Sequence, residues 1–308
     1  MKKIIFLMIV TSVCMAEEIK YETLDNSKKN GIELTDKLRD LQIHSLNYEI
    51  SNFDEMSNQT LGESFIESLE DENGKFRIGN ATYFLGNKNK YNIHSNVYLD
   101  KILNYEGTQV SFGAILGYVN GKIEQEKLNG VDVGFLAKSY IPDYKIKVNT
   151  EHKFNYTNVK YFKGFEQNYL GLVGGIDLRT TVGKSLYIEP LVRASYTYNF
   201  KSKLKDQNTD IIELKPNFNF SVGGGVRVGY NFNDKYRLSL GYVLDKRLKN
   251  KNSYKIFNNP VTMNENNYFN HDVDLQFELN LKEKHKITAS IGKISKGFKG
   301  GMSYKYEW

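Results

Sequence analysis

The amino-acid sequence predicts an all-β fold, a transmembrane antiparallel up-and-down β-barrel of about 12 strands preceded by a short helical segment. From residue 75 to the C terminus apolar and polar residues alternate, as they do along a strand with two different faces. Several alternating segments reach about 11 residues or more, the length that a tilted strand needs to cross the hydrocarbon layer. The mean hydropathy of −0.52 excludes a bundle of membrane helices. It is compatible with a barrel, in which only alternate residues meet lipid.

The first 16 residues are predicted to be a cleaved export signal. Lys2 and Lys3 precede an apolar run that ends at Ala16. A lipoprotein signal at Cys14 is the alternative, but Val13 occupies the position where a small residue normally precedes a lipidated cysteine. Cleavage after Ala16 would remove the single cysteine of the chain. The mature protein would then depend on a closed sheet or a large core for its stability.

Residues 17–73 are predicted to be an N-terminal helical linker, a vestigial passenger and a possible pore plug. Leu34, Leu38 and Leu41 recur at helical spacing in a first candidate helix between residues 32 and 50. In a second candidate helix Leu61, Phe65 and Leu69 recur at every fourth position, with Glu63 and Glu67 between them. The alternative is a pair of short amphipathic helices that simply pack against the rest of the chain.

Residues 74–308 are predicted to form the barrel. The candidate strands cover residues 75–86, 90–103, 107–119, 130–141, 143–157, 166–181, 185–200, 216–232, 235–248, 268–281, 285–295 and 298–308. Short connections alternate with longer polar ones such as residues 120–129, 201–215 and 249–267, a pattern typical of outer-membrane barrels. Both ends of the barrel then lie on the side of the short turns. The segment 17–73 would accordingly lie at the periplasmic mouth or inside the lumen.

A secreted soluble barrel with an apolar lumen, similar to a lipocalin, is the structural alternative. About twelve strands exceed what such barrels use, and a large closed barrel with apolar residues inside would leave a dry void. Lipid outside and water inside remove that problem.

Four segments together resemble the autotransporter β-domain. They are Tyr187 to Val192, Ser221 to Tyr230, Leu238 to Tyr242 and Gly301 to Trp308, and the stretch from Phe53 to Leu69 resembles the linker that precedes the barrel in that family. The resemblance implies a twelve-stranded outer-membrane barrel with a helix through its pore. It also implies that the terminal aromatic residues, Tyr304, Tyr306 and Trp308, form the signal read by the barrel-insertion machinery. The chain departs from the family in having almost no passenger before the barrel.

Charged residues on the polar faces of the strands are predicted to line the lumen: Lys147, Glu151, Lys153, Asp177, Arg179, Glu189, Arg193, Arg227, Arg237, Asp274, Glu278 and Glu307. They could be a solvated inner wall whose charges satisfy one another, as is normal for such barrels. Alternatively, Arg193 and Arg227 could hold the acidic positions of the predicted plug helix or set an ion preference.

No catalytic, cofactor or metal motif is recognisable in the sequence, and we predict that the protein is not an enzyme. His271 stands beside Asp272 in a pattern similar to that of barrel proteases, but His271 has the outward parity of its strand. Gly223, Gly224 and Gly225 lie within a predicted strand, where missing side chains allow close packing. The formal net charge of +6 comes from interspersed charges of both signs, and nothing in their distribution indicates nucleic-acid binding.

The function predicted from the sequence is that of an outer-membrane barrel of Gram-negative bacteria, embedded in outer-membrane lipid, that forms a translocator pore for its own short N-terminal segment. One alternative is a passive diffusion porin. Another is a surface adhesin or structural barrel whose lysine-rich loops, residues 201–215 and 247–267, meet acidic cell surfaces.

Overall fold

The structure is a computed structural model. It describes residues 19–20, 32–33, 37, 42, 75–87, 90–105, 108–123, 125–160, 166–205, 211–233, 235–248, 251–256, 259–264, 268–281, 284–295 and 297–308. The predicted signal at residues 1–16 and the predicted plug helix at residues 61–69 lie outside this part of the chain. Of the first candidate helix, Ile32, Glu33, Lys37 and Gln42 have helical backbone.

Twelve long antiparallel strands form the wall of a barrel, which confirms the predicted fold. They are β1 (Lys75–Gly86), β2 (Lys90–Tyr105), β3 (Thr108–Ile123), β4 (Glu126–Ile141), β5 (Ile146–Lys160), β6 (Glu166–Thr180), β7 (Leu186–Asn199), β8 (Asn217–Asn231), β9 (Tyr236–Arg247), β10 (Tyr268–Leu281), β11 (His285–Ile294) and β12 (Gly297–Glu307).

The barrel is closed because its last strand pairs with its first. β12 runs antiparallel to β1, from Phe298 opposite Gly86 to Glu307 opposite Arg77. Trp308 extends this seam, since its N–H donates to the carbonyl of Phe76 at 3.0 Å and its carbonyl accepts from the N–H of Phe76 at 3.2 Å. Every wall strand therefore has two hydrogen-bonded neighbours, which a strand needs in a solvent that offers its backbone no partners.

The two faces of the wall are reversed relative to a soluble protein. Apolar side chains point outward, where Leu240 is 55% exposed and Phe112 is 58% exposed. Charged side chains point inward and are buried, as Asp274 shows with an exposed fraction of 2%. An apolar outer surface of this extent is stable only against lipid. The strands therefore span a membrane, and the polar face lines the bore.

The two rims of the barrel differ in how the strands are joined. At the short-turn rim, β4 and β5 are joined by the 3₁₀ turn Pro142–Tyr144 and by Lys145, which takes a left-handed conformation with φ of 51°. At the opposite, long-connection rim, the predicted loop at residues 120–129 is wrong. β3 continues to Ile123 and β4 starts at Glu126.

The polar residues of this extension pair across the hairpin and therefore do not end the strands. Asn120 Nδ2 donates to Asn129 Oδ1 at 2.7 Å, while the apolar side chains of Ile123 and Leu128 are buried.

The sequence predicted plain polar loops for the two longest connections. The structure differs, because each of them contains a hairpin. Ser202–Lys205 pairs with Ile211–Leu214 between β7 and β8, and Lys251–Ile256 pairs with Asn259–Asn264 between β9 and β10. The two hairpins join through Ile211–Leu214 and Lys251–Ile256. Ile19–Lys20 adds a fifth strand, parallel to Asn259–Asn264. We call these five strands the surface sheet.

The surface sheet belongs to the long-connection rim, whereas Lys75 begins the barrel at the short-turn rim. A position at the short-turn mouth, one of the two predicted for the segment 17–73, is therefore wrong for Ile19–Lys20.

Candidate functional site: the bore of the barrel

The bore is lined by charged side chains. They share one face of the wall because every second residue of a strand points to the same side. Of the twelve charges predicted from the sequence, nine carboxylates and arginines lie on this face and are at most 8% exposed: Glu151, Asp177, Arg179, Glu189, Arg193, Arg227, Arg237, Asp274 and Glu278. Lys147 and Lys153 lie on the same face and are also buried, while Glu307 is partly exposed.

The middle of the bore holds a cluster in which cations from three strands share carboxylates on β9 and β10. We call Arg193, Arg227, Asp245, Asp272, Asp274 and Lys299 the central cluster. Arg227 Nη2 lies 2.7 Å from Asp274 Oδ1, and Lys299 Nζ lies 3.0 Å from Asp274 Oδ2. Lys299 also contacts Asp272. The cluster thus joins β8, β10 and β12 through side chains as well as through the sheet.

Arg193 completes the central cluster from β7. Its Nε donates to Asp245 Oδ1 at 2.7 Å, and its Nη2 lies 3.3 Å from Asp272 Oδ2. Arg193 Nη2 also donates to Asp245 Oδ2, so the guanidinium holds this carboxylate through two nitrogen atoms. Such fork-shaped pairing is the strong form of an ion pair in a protein.

A second cluster lies near the short-turn rim. Lys147 Nζ is 3.0 Å from Glu189 Oε1, and Lys286 Nζ is 2.7 Å from Glu278 Oε2. Arg237 lies between the two carboxylates, at 3.4 Å from Glu189 and 3.6 Å from Glu278. Its guanidinium also stacks over the Tyr187 ring at 4.1 Å. The second cluster therefore extends from β5 to β11 along the wall.

The remaining part of the wall carries smaller groups. Arg77 Nε donates to Asp100 Oδ1 at 3.0 Å and its Nη2 donates to Ser111 at 3.0 Å. Lys153 Nζ lies 2.7 Å from Glu151 Oε1 and 3.8 Å from Asp132 Oδ1. The other pairs are Arg179 with Asp177 and His94 with Asp132.

These contacts make the bore strongly polar but nearly neutral overall. The described wall residues that are buried include eleven lysines and arginines and nine carboxylates. The described contacts of Arg193 and Arg227 include carboxylates of the wall itself. The hypothesis that they hold the acidic plug residues stays a prediction, because residues 61–72 lie outside the described chain.

Sequence reasoning missed several members of these clusters: Arg77, Asp100, Asp132, Asp245, Asp272, Lys286 and Lys299. The signal was present, since each residue has the inward parity of its strand. Asp272, for example, lies two residues from Asp274, and Lys286 lies directly across from Asn280 in the register of β10 and β11.

Glycines on the inner face leave room for the large side chains of the next strand. A Cβ on Gly229 would lie 2.0 Å from the Tyr187 hydroxyl, and one on Gly223 would lie 2.0 Å from Asp245 Oδ1. Gly224, which points outward, would meet only ordinary contacts at 3.7 Å or more. Close packing at the inward glycines agrees with the role predicted for this run.

The residues predicted as the insertion signal lie on the outer face at the closing seam. Trp308 is 50% exposed, and its ring stacks on Phe76 and Tyr306 with centroid distances of 6.1 and 5.9 Å. Tyr304 Oη lies 2.7 Å from His285 Nδ1. The terminal aromatic residues thus form part of the band that meets the membrane interface.

The structure offers no catalytic geometry at His271. Its ring lies on the outer face, with Nδ1 3.0 Å from the Tyr242 hydroxyl, whereas Asp272 and Asp274 point into the bore. The described residues contain no cluster of His, Cys, Asp or Glu that could hold a metal ion. Among those residues, no helix has the length and apolar character of a membrane span.

Comparison with known proteins gives matches only among solved structures. No protein-family model and no curated protein matches the chain. The β domain of the Bordetella autotransporter BrkA is 13% identical, with 77% of this chain and 99% of that chain covered and a TM-score of 0.54. The transport unit of the autotransporter AIDA-I from Escherichia coli is 11% identical, with coverages of 87% and 98% and a TM-score of 0.58.

A third match is the translocator domain of the autotransporter NalP from Neisseria meningitidis. It is 7% identical, with 91% of this chain and 97% of that chain covered and a TM-score of 0.59. This chain has the fold of an autotransporter β-domain. The resemblance found in the sequence is therefore confirmed at the level of the fold, and the match to NalP extends over more of the chain than the twelve strands alone.

Proposed function

We propose that this chain is an outer-membrane translocator barrel that carries its own N-terminal segment through the bore to the cell surface. One observation supports the proposal above all others. Ile19 pairs with Val261 and Lys20 with Thr262 in the surface sheet, at the long-connection rim, whereas the barrel starts at Lys75 on the short-turn rim. In this proposal the chain between these points connects the two sides of the membrane.

The connecting segment is long enough for this path. Residues 21–74 comprise about 54 residues, which would span about 80 Å as a helix at 1.5 Å per residue. The hydrocarbon core is only about 30 Å thick. Length therefore leaves room for a crossing helix and for linkers at both rims.

The polarity of the segment favours the bore over the lipid. Glu33 and Lys37 lie on one helical face with 4.0 Å between Oε2 and Nζ, and an outer path would place such charges in hydrocarbon. Ile32 is completely buried and Gln42 has a buried amide oxygen. A segment enclosed by the polar wall would account for both observations.

Cysteine labelling of intact cells tests the proposal, because the only native cysteine is Cys14. Glu18→Cys, placed next to the paired strand, should react with a membrane-impermeant maleimide added from outside. Asp143→Cys is the matched control, since Asp143 is exposed at the short-turn rim. It should react only after the outer membrane has been permeabilised. Labelling of Glu18→Cys only after permeabilisation would contradict the proposal.

Conductance separates the translocator from a passive porin. In planar bilayers the full mature chain should give small or no steps, and deletion of residues 17–73 should open a larger channel. Equal conductance of the two forms would show that the segment does not occupy the bore, and would favour the porin.

A further inference from the structure

The outer face of the wall carries positive charge at one of its two rims. Among the outward strand positions whose side chains the structure describes, none is a carboxylate. The charged residues at those positions are Lys101, Lys122, Lys127, Lys160, Lys246 and Lys293. All of them except Lys101 lie near the long-connection rim. Three of these lysines lie on the neighbouring strands β3, β4 and β5, so the positive charge is densest on that side of the barrel.

The register of β3 to β6 aligns outward side chains in three rows that run across the strands. The row farthest from the middle of the membrane is, from β3 to β6, Lys122, Lys127, Lys160 and Glu166. The next row is Asn120, Asn129, Asn158 and Asn168. The third row is Tyr118, Val131, Tyr156 and Leu170, whose side chains are 37–50% exposed. We call the three lysines and the four asparagines the outer-rim patch.

The same short motif builds the outer-rim patch twice. Residues 118–122 and 156–160 both have the sequence Tyr-x-Asn-x-Lys, on β3 and β5. In the first copy the amide oxygen of Asn129, on the next strand, accepts two hydrogen bonds. They come from Asn120 Nδ2 at 2.7 Å and from the Tyr118 hydroxyl at 3.4 Å. The tyrosine and the asparagine pair are therefore held together at the rim.

The second copy repeats this arrangement one hairpin further along the wall. Asn168 Oδ1 accepts from Asn158 Nδ2 and from the Tyr156 hydroxyl, both at 2.8 Å. In the described contacts only the amide oxygens of Asn129 and Asn168 are engaged. Their amide nitrogens can therefore donate to a ligand on the outer face.

The row of lysines has a charge that suits an anion. Residues directly opposite each other on antiparallel strands have Cβ atoms about 4.5–5.5 Å apart, and like charges in such pairs repel. Lys127 lies between two such neighbours, Lys122 and Lys160. Even with Glu166 at the end of the row, three positive charges face one negative charge. An anion bound between the lysines would remove their mutual repulsion.

We propose that the outer-rim patch binds the phosphate headgroup of a lipid in the leaflet at this rim. The lysines pair with the phosphate, and the amide nitrogens donate to the oxygens beside it. The acyl chains lie along Val131 and Leu170, which continue the apolar face toward the middle of the membrane. A free phosphate ion would use only the polar contacts. Such binding goes beyond transport and does not depend on the path of residues 17–73.

Binding of phosphatidic acid to the full chain in neutral detergent tests this proposal. Fluorescence anisotropy of a labelled acyl chain measures the affinity. The triple variant Lys122→Gln, Lys127→Gln and Lys160→Gln should lower it about tenfold or more, since anionic lipid is attracted by each lysine near its headgroup. Diacylglycerol with the same acyl chains lacks the phosphate and should bind at least about tenfold more weakly than phosphatidic acid.

The matched control removes the same charge from the same outer face. Lys101→Gln, Lys246→Gln and Lys293→Gln change the outward lysines that lie outside the patch, and together they should alter the affinity less than about twofold. Equal losses in the two triple variants would overturn the proposal, because the lipid would then respond to net charge alone.

A second variant tests the asparagine row without removing a lysine. Asn129→Asp keeps the size of the side chain but places a negative charge beside the bound phosphate, so it should weaken binding at least about threefold. Heat-modifiable migration in gels would show that each variant still forms the barrel. Unchanged affinity in a folded Asn129→Asp barrel would contradict the assignment of this row.

Two further outcomes would identify a different ligand. Displacement of phosphatidic acid by an equal concentration of inorganic phosphate would overturn the proposal in favour of a site for a free anion. Equal affinity for diacylglycerol would overturn it because acyl contacts alone would then account for binding. Neither outcome depends on whether Glu18→Cys is labelled on intact cells, so lipid binding and transport can fail separately.

Discussion

The inner and outer faces of the same twelve strands solve opposite solvation problems. On the outer face an apolar residue such as Leu240 is 55% exposed and needs only lipid as a neighbour. On the inner face Asp274 is 2% exposed and has both Arg227 and Lys299 within 3.0 Å. The stability of the outer face therefore requires only that its residues are apolar, since lipid is fluid and adapts to any apolar shape. The inner face depends on specific partners, because a buried charge without one is costly.

The largest effect should follow from the removal of a shared carboxylate on the inner face. Asp274→Ala leaves Arg227 and Lys299 without this partner in the central cluster, and we expect a loss of about 3–5 kcal/mol in the free energy of unfolding. Denaturant unfolding in lipid vesicles would measure it. Asp143→Ala in the exposed turn is the control and should change stability by less than about 0.5 kcal/mol. A similar small change for Asp274→Ala would mean that the bore is as well solvated as the turn.

A charge on the outer face should be the next most damaging change. Leu240→Arg places a guanidinium near the middle of β9, where lipid surrounds it, and should cost about 2–4 kcal/mol. Leu248→Arg at the long-connection rim should cost about 1 kcal/mol or less in the same vesicles. Equal costs at both positions would contradict a membrane-spanning role for this face.

The third prediction concerns packing on the inner face. Gly229→Ala forces a methyl group into the space of the Tyr187 hydroxyl and should cost about 1–3 kcal/mol. Gly224→Ala lies in the same strand but points outward into open contacts, and should change stability by less than about 0.5 kcal/mol. Thermal unfolding of the two variants makes a matched pair. Equal effects would show that the inner face adapts as readily as the lipid-facing one.

The smallest effect on stability is expected at the C terminus. Trp308→Ala removes the stacking on Phe76 and Tyr306 but keeps both backbone hydrogen bonds to Phe76, so the loss should be about 1 kcal/mol. If Trp308 is read by the insertion machinery, the amount of folded barrel in the membrane should fall far more than this loss predicts. Heat-modifiable migration in gels would measure that amount. Unchanged assembly would contradict the signal role, and Trp308→Phe should retain assembly.

Much of the wall could be predicted because the alternation of apolar and polar residues is a local property of the sequence. In β8 and β10 the alternation of residue types assigns each side chain to lipid or bore without knowledge of its neighbours. Strand ends were less predictable. Asn120 and Asn129 are polar in sequence, yet they continue the hairpin because their amides hydrogen-bond to each other across it and Ile123 and Leu128 are buried on its other face.

The sequence by itself determined the strand count, the period of two and therefore which residues face lipid, since parity along an extended chain is a local property. Only the tertiary structure decided which charges share partners. Arg193 meets Asp245 and Asp272 from strands far away in sequence, because closure of the sheet and its register set those distances. The same holds for Ile19–Lys20, whose pairing with Val261 and Thr262 is set by long-range register. No local pattern encodes a contact between residues that lie so far apart along the chain.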